Sequence, residues 1–212
     1  MKGLNKRVAV VTGAASGIGK AIANRFAEEG VDVFGVDLQV GDMPENRHLL
    51  DHIQVDLTDE QSTSAILDSL YLHTQKCDIL VNAAGISEFG LFDDKDRGLF
   101  DRTMAVNLEA VARITRDFLP LLRKSNQGRI INIGSICSEF ASPGLSAYVV
   151  SKHAVLGLTR ALASELGPEG ITVNCIQPGA ISTGITASSF EADPSFKEHW
   201  VNKSAIGRIG QP

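Results

Sequence analysis

The sequence predicts a single domain of the α/β class with a parallel β-sheet. Six short runs of apolar, often β-branched residues are separated by longer stretches of helical character, and this alternation is typical of βαβ units. The chain of 212 residues is 43% hydrophobic and 21% charged, an ordinary globular composition that supplies a full core. No internal repeat or linker divides it, so we expect one domain over residues 1–212.

Four of the predicted strands lie in the first part of the chain, at 7–12, 31–37, 53–57 and 78–82. A glycine-rich turn follows the first strand, and the helix after it should end at Gly30. Residues 38–50 have no clear apolar period, which favours a loop. Thr58 and Gln61 have the spacing of a capping box and should open a helix that runs to about Gln75.

The second part of the chain begins with a long helical stretch at 99–124, with Pro120 near its end. Another helix is predicted from about Tyr148 to Leu166. It carries few charges, and a helix that is apolar nearly all round is usually buried on more than one side. We therefore expect its outer face to form a subunit interface. The last two strands are predicted at 129–133 and 171–176.

Charge and composition argue against several classes of protein. The net charge is −5 and no cluster of Lys and Arg exceeds two adjacent residues, which disfavours a nucleic-acid binder. No apolar run approaches the roughly 20 residues that span a membrane, and the N-terminus does not read as a signal peptide. The cysteines are few and far apart and the histidines lack ligand spacing, so we expect no disulfide and no metal. These features favour the cytoplasm.

The turn after the first strand has the composition of a phosphate-binding loop. Its glycines allow a tight bend and let a pyrophosphate approach backbone N–H groups at the helix N-terminus. Asp37 follows at the end of the second strand. Its carboxylate can accept hydrogen bonds from the ribose hydroxyls of adenosine and would repel a 2′-phosphate, which predicts NAD rather than NADP. The predicted contacts in the turn are Gly13, Ser16, Gly17, Ile18 and Gly19.

A second group of residues points to proton transfer. Tyr148 and Lys152 are four residues apart in a predicted helix, so their side chains leave the same face. An ammonium beside a phenol favours the phenolate and lowers the phenol's pKa. Ser135 follows an apolar strand-like run and could hydrogen-bond the same substrate oxygen. Together these residues predict acid–base catalysis on an alcohol and carbonyl pair.

In combination, the motifs closely resemble those of the short-chain dehydrogenase/reductase family. The resemblance covers essentially the whole chain and implies a Rossmann-type doubly wound parallel sheet that binds a nicotinamide dinucleotide. One variation, NAAG where many members have NNAG, is tolerated in the family. The motifs are TGAASGIG at 12–19, Asp56-Leu57, NAAG at 82–85, Asn107, Ser135, Tyr148-x-x-x-Lys152 and Pro178-Gly179.

The resemblance also implies roles for individual residues. Tyr148 would be the general acid/base, and Ser135 would polarise and orient the substrate oxygen. Lys152 would lower the pKa of Tyr148 and hold the nicotinamide ribose, and Asn107 would link Lys152 to solvent through a water. Asp56, with Leu57, would meet the adenine. The adenosine side would be lined by Asn82, Ala83, Ala84 and Gly85, and the nicotinamide side by Pro178, Gly179, Ile181 and Thr183.

Members of the family usually continue beyond the segment at 207–212 with another helix and a last strand. The sequence apparently lacks these elements, and we expect it to be the retained part of a longer protein. By the same resemblance the protein should be a homodimer or homotetramer.

The substrate should be a small neutral secondary alcohol or ketone, cyclic or hydroxyacyl. Its specificity should depend on residues 87–92, 139–145 and a lid at about 182–204. Glu88 and Glu139 make an anionic substrate less attractive. One alternative is an NADPH-dependent 3-oxoacyl thioester reductase, which Asp37 and the uncharged Ser16 disfavour. Another is a non-catalytic dinucleotide-binding sensor, which would need none of the catalytic residues.

Overall fold

The computed structural model describes residues 3–41, 46–93, 96, 98–192 and 194–212. Six parallel strands form one sheet in the order β3-β2-β1-β4-β5-β6. The chain winds outward from β1 in one direction and then from β4 in the other, so the predicted doubly wound parallel sheet is confirmed. The strands are β1 (Val8–Thr12), β2 (Asp32–Asp37), β3 (Leu49–Gln54), β4 (Ile79–Asn82), β5 (Arg129–Ile133) and β6 (Thr172–Ile176).

Helices connect the strands and cover both faces of the sheet. One face packs mainly against α2, α4 and the end of α5, through residues such as Ile66, Phe118 and Leu166. The other face packs against α1 through Ala23 and Ala27. The helices are α1 (Gly17–Glu28), α2 (Ser62–Tyr71), α3 (Gly98–Met104), α4 (Ala110–Leu122), α5 (Ser146–Leu166), α6 (Gly184–Ala192) and α7 (Pro194–Lys203).

Between β2 and the end of α2, three predicted elements differ from the structure. The third strand is Leu49–Gln54 rather than 53–57. Its apolar pattern is weak because the strand lies at the sheet edge and buries only Ile53 fully, so the sequence misplaced it. The predicted loop at 38–50 therefore ends earlier, and its residues 42–45 lie outside the described part. The capping box does not form, because the Thr58 hydroxyl and N–H both donate to Asp56. The helix begins at Ser62 and ends at Tyr71, well before Gln75.

The predicted long helix at 99–124 is divided into three parts. Between α3 and α4, residues Ala105–Glu109 form one turn of π-helix, which inserts an extra residue and often marks a functional site. Pro120 lies inside the last turns of α4 without ending it. The interruption changes which face of the segment points inward, and Asn107 lies within it, 1% exposed.

A buried polar pair joins the two central strands. Asn82 on β4 and Asn132 on β5 lie opposite each other, and the Asn82 amide donates to the Asn132 carbonyl oxygen at 2.8 Å. The Asn82 amide also donates to Thr115 on α4, and that of Asn132 donates to Thr159 on α5. The pair therefore ties the sheet to two helices.

No helix in the described part of the chain is long and apolar enough to cross a membrane. The outer face of α5 carries Val150, His153 and Gly157, all exposed. The subunit interface expected on this face stays a prediction.

Candidate functional site

A cavity of about 400 Å³ opens at the carboxyl ends of the central strands, where the winding of the sheet reverses. Ligands of doubly wound sheets bind at this position. All of the residues predicted for the site line the cavity except Asn82 and Asn107, which lie buried behind it. They are Gly13, Ser16, Gly17, Ile18, Gly19, Asp37, Asp56, Leu57, Ala83, Ala84, Gly85, Ser135, Tyr148, Lys152, Pro178, Gly179, Ile181 and Thr183.

The turn after β1 is held against the end of β4. The Thr12 hydroxyl accepts the N–H groups of Ala83 and Ala84, at 3.0 and 3.1 Å. Gly13 has a φ of +70°, and a Cβ there would lie 2.8 Å from the Ala84 nitrogen. The space in front of α1 is equally restricted, since a Cβ on Gly17 would approach Thr183 at 3.1 Å. A side chain at either position would take up this space. The two glycines therefore leave room for an anion against the backbone of the turn and the N-terminus of α1.

Asp37 ends β2 with its carboxylate toward this turn. One oxygen accepts the N–H of Ala15 at 2.9 Å and the other accepts the N–H of Gln39 at 3.1 Å. A carboxylate has about four acceptor positions, so both oxygens keep capacity for ribose hydroxyls. Among the described residues that line the cavity, Lys152 is the only Lys or Arg.

Ser135 lies at the end of β5 and begins a short 3₁₀ helix. Its hydroxyl oxygen accepts the N–H of Cys137 at 3.1 Å, while its own N–H donates to the hydroxyl of Ser138 at 3.2 Å. This capping box fixes the Ser135 side chain and uses its hydroxyl only as an acceptor, so the hydroxyl proton can be donated on the Tyr148 side.

Tyr148 and Lys152 lie on one face of α5, and the Lys152 ammonium is 5.6 Å from the centre of the Tyr148 ring. Burial lowers the pKa of Lys152 to about 8, and its ammonium donates to the Ile133 carbonyl at 2.8 Å. Burial raises the pKa of Tyr148, and hydrogen bonding with Ser135 offsets this only in part. The expected lowering of the Tyr148 pKa is therefore not found: burial is the largest influence on this pKa, and Lys152 is not among the groups that shift it.

The sequence matches a known family over most of its length. The model of the family described as short chain dehydrogenase matches residues 7–194. The chain belongs to the short-chain dehydrogenase/reductase family. It is therefore an oxidoreductase of a family that uses a nicotinamide dinucleotide and acts on small molecules.

Related members of the short-chain dehydrogenase/reductase family carry several different names. The chain is 33% identical to the 3-oxoacyl-[acyl-carrier-protein] reductase FabG of Vibrio cholerae, over 99% of this chain and 86% of the relative. It is 31% identical to the cyclopentanol dehydrogenase of Comamonas sp., again over 99% and 86%.

Solved structures of the family superpose on nearly the whole chain. The ligand-free aldohexose dehydrogenase of Thermoplasma acidophilum has a TM-score of 0.90 at 32% identity, covering 99% of this chain and 83% of its own. A Beutenbergia cavernae protein described as an NAD(P)-dependent gluconate 5-dehydrogenase, with NADP bound at low occupancy, has a TM-score of 0.87 at 32% identity. It covers 99% of this chain and 86% of its own.

Sequence reasoning missed residues that support this short-chain dehydrogenase/reductase site from behind. Ser151 accepts the amide of Asn107 at 3.0 Å and donates to the Tyr148 carbonyl at 2.8 Å. Ser138 completes the capping box of Ser135, and its spacing of three residues was the available signal. Ser151 had no such signal, because its partner is 44 residues away in the chain.

Of the segments expected to set specificity, 182–204 reaches the cavity through Thr183 to Thr186, while 87–92 follows the lining residue Ile86 and 139–145 lies between the lining residues Ser135 and Tyr148. The carboxylate of Glu88 forms a double contact with Arg102, and that of Glu139 lies 3.6 Å from Arg160. Each glutamate thus has a compensating positive charge, so the two no longer argue against an anionic substrate. Residues 184–203, within the predicted lid, form α6 and α7, apart from residue 193, which lies outside the described part.

Proposed function

We propose that the protein is an NAD-dependent oxidoreductase that interconverts a neutral secondary alcohol, cyclic or hydroxyacyl, and the corresponding ketone. The observation that carries the cofactor preference is the Asp37 carboxylate, which lies in the cavity, fixed by two backbone N–H groups. The observation that carries the reaction is that Ser135, Tyr148 and Lys152 line the same cavity.

The preference for NAD follows from charge. NADP differs from NAD by a phosphate on the adenosine ribose, and a phosphate monoester carries about −1.5 to −2 at neutral pH. Next to the Asp37 carboxylate this phosphate would be repelled, whereas ribose hydroxyls could donate to it. The uncharged Ser16 in the turn offers no compensation, and Lys152 is held by Ile133 at the other end of the cavity.

The cavity contains groups that could hold each part of a nicotinamide dinucleotide. When bound, the dinucleotide would supply hydride transfer. The turn at Gly13–Gly19 would take its pyrophosphate and Asp37 its adenosine ribose. Tyr148 would pass the proton to or from the substrate oxygen. Ser135 would donate a hydrogen bond to that oxygen, and Lys152 would hold the nicotinamide ribose.

The substrate class rests on the cavity and on one relative. Lys152 is the one Lys or Arg among the described residues that line the cavity. Beyond the pyrophosphate of the dinucleotide, the cavity therefore offers little to an anionic group on the substrate. Cyclopentanol, named for the Comamonas relative, is a neutral cyclic secondary alcohol. We therefore favour a substrate of that kind.

A second candidate function is NADPH-dependent reduction of a 3-oxoacyl thioester. Three relatives at 30–33% identity, each covering 99% of this chain, are named as 3-oxoacyl-[acyl-carrier-protein] reductases. Asp37 speaks against this function through its repulsion of NADPH. The two candidates therefore separate on the cofactor.

Parallel fluorescence titrations with NADH and NADPH test the proposal. NADH should bind at least about tenfold more tightly, and Asp37→Ala should remove most of that difference. Asp68→Ala, which removes an exposed carboxylate on α2, is the matched control and should change neither affinity. If the unaltered protein binds NADPH more tightly than NADH, the proposed NAD preference is wrong and the 3-oxoacyl thioester reductase becomes the favoured function.

We further propose a homodimer or homotetramer with the outer face of α5 at a subunit contact, and closure of residues 182–204 over the substrate. Light scattering at micromolar concentration checks the first point, and a monomer would contradict it.

A further inference from the structure

The segment that leaves the cavity after Ile86 exposes an unusual amount of apolar surface. Phe89 is 75% exposed, Leu91 59% and Phe92 85%. Single exposed apolar residues are common, but three large ones within four positions beside a binding cavity indicate a surface that meets a ligand. Ile86 itself lines the cavity, and this exposed apolar surface begins three residues after it.

Contacts with the residues before α5 bring this surface close to the start of that helix. The N–H of Gly90 donates to the Gly144 carbonyl at 2.9 Å, and Gly90 forms a parallel bridge with Leu145. The ring of Phe89 lies so close to Gly144 that a Cβ there would overlap it. Tyr148 follows Leu145 by three residues, in the first turn of α5. Phe89 therefore packs against the segment that leads directly into the turn of α5 carrying Tyr148.

The other side of the segment is held by α3. The Nε of Arg102 donates to one oxygen of Glu88 at 2.8 Å, and its Nη2 donates to the other oxygen. The same Nη2 donates to Asp96 at 2.7 Å. Leu99, one turn earlier, packs so closely that a Cβ on Gly90 would lie 2.9 Å from its Cδ1. A two-pronged contact between a guanidinium and a carboxylate fixes direction as well as distance.

We propose that Arg102 is a positioning residue for substrate specificity: through Glu88 it holds Phe89 beside Tyr148 as an apolar wall for the larger substituent of the ketone. The preferred substrates then carry an aryl or alkyl group on that side. Arg102 does not line the cavity and acts only through the segment that it holds. This inference rests on the alcohol and ketone function proposed above.

Steady-state kinetics with a series of methyl ketones, from butanone to acetophenone, test the proposal. The unaltered protein should prefer acetophenone. Arg102→Ala and Phe89→Ala should raise KM for acetophenone roughly tenfold, leaving kcat, KM for butanone and the Kd of NADH unchanged. Glu88→Gln, which keeps the side-chain volume, should act in the same direction. Arg116→Ala removes an exposed arginine of α4 and is the matched control.

Hydrogen exchange of residues 87–92 provides a readout that does not need turnover. Arg102→Ala should speed exchange of the Gly90 amide, and Arg116→Ala should not. Unchanged exchange, or unchanged selectivity in Arg102→Ala, would overturn the positioning role. If the unaltered protein reduces no ketone, the proposed function and the specificity role fail together, while the exchange result still decides whether Arg102 holds the segment.

Discussion

Asn107 and Ile86 hold each other through two reciprocal hydrogen bonds. The Asn107 amide donates to the Ile86 carbonyl at 2.9 Å, and its carbonyl oxygen accepts the Ile86 N–H at 2.8 Å. The same amide donates to Ser151 of α5. Gly85 lies next to this contact, since a Cβ there would be 3.2 Å from the Asn107 oxygen and 3.5 Å from the Lys152 ammonium. The π-helical turn thus connects the end of β4 with the helix that carries Tyr148.

Asn107→Ala should lower kcat by roughly 100-fold while changing the Kd of NADH much less. The substitution leaves the Ile86 N–H without its partner and frees the cavity wall, and small misplacements of reacting groups cost about this much. Stopped-flow turnover and NADH titration measure the two effects. Asn126→Ala, at an exposed position after α4, serves as the control. An unchanged kcat would show that the contact is not needed for the reaction.

Tyr148→Phe should bind NADH normally and lose turnover by about 10²- to 10⁴-fold, the usual contribution of a general acid or base. The chain has a second tyrosine, Tyr71, which is 43% exposed on α2. Tyr71→Phe should keep full activity, so the pair isolates the role of the hydroxyl at 148. Substantial turnover in Tyr148→Phe would remove this residue from the mechanism.

Lys152→Met should abolish turnover but make the folded protein more stable at pH 7. Burial lowers the pKa of Lys152 to about 8, so below that pH the folded protein holds a charged ammonium away from water. Between pH 8 and about 10.5 the unfolded chain binds more protons than the folded protein, so the stability of the unaltered protein rises there. Urea unfolding at pH 7 and pH 10 should show the advantage of Lys152→Met shrinking with pH. A constant difference would contradict a buried charged lysine.

Asp78→Asn should destabilise the protein by about 1–3 kcal/mol at pH 7, because Asp78 is a hydrogen-bonded buried carboxylate. It accepts the Val8 N–H, the Ser125 hydroxyl and the Lys76 ammonium. Burial alone would raise its pKa, but these contacts outweigh burial and lower it.

The stability difference between the unaltered protein and Asp78→Asn should also depend on pH. The stabilisation by Asp78 is fully present above its unfolded pKa of about 3.9 and is lost as pH falls through the lower folded pKa. Urea unfolding should therefore show the two proteins converging in acid. Asp68→Asn is the control and should differ little from the unaltered protein at any pH. A constant gap at all pH values would contradict the assignment.

The order of the strands was predictable from the sequence, because buried strands leave strong local patterns. Most of the predicted site residues line the cavity, largely through the family resemblance, but lining residues outside the motifs, such as Ile86 and Val106, were not predicted. The edge strand at Leu49–Gln54 was misplaced, since only Ile53 is fully buried and the pattern is weak. The π-helical turn at Ala105–Glu109 has no compositional signal and depends on contacts with Ile86 and Ser151. The raised pKa of Tyr148 was also out of reach, because it reflects burial by residues distant in sequence.

The amide pair Asn82 and Asn132 has a consequence for folding. A slip of one residue between β4 and β5 would turn one of the two amides to the opposite side of the sheet and leave both buried without each other. Each buried amide left without its hydrogen-bond partner costs about 1–3 kcal/mol, so misaligned sheets are less stable than the native one during folding. The same slip would displace Ser135 by about 3.3 Å along its strand relative to Ala84. The pair therefore fixes the register of β4 and β5, and with it the spacing of Ala84 and Ser135 at the carboxyl ends of the strands.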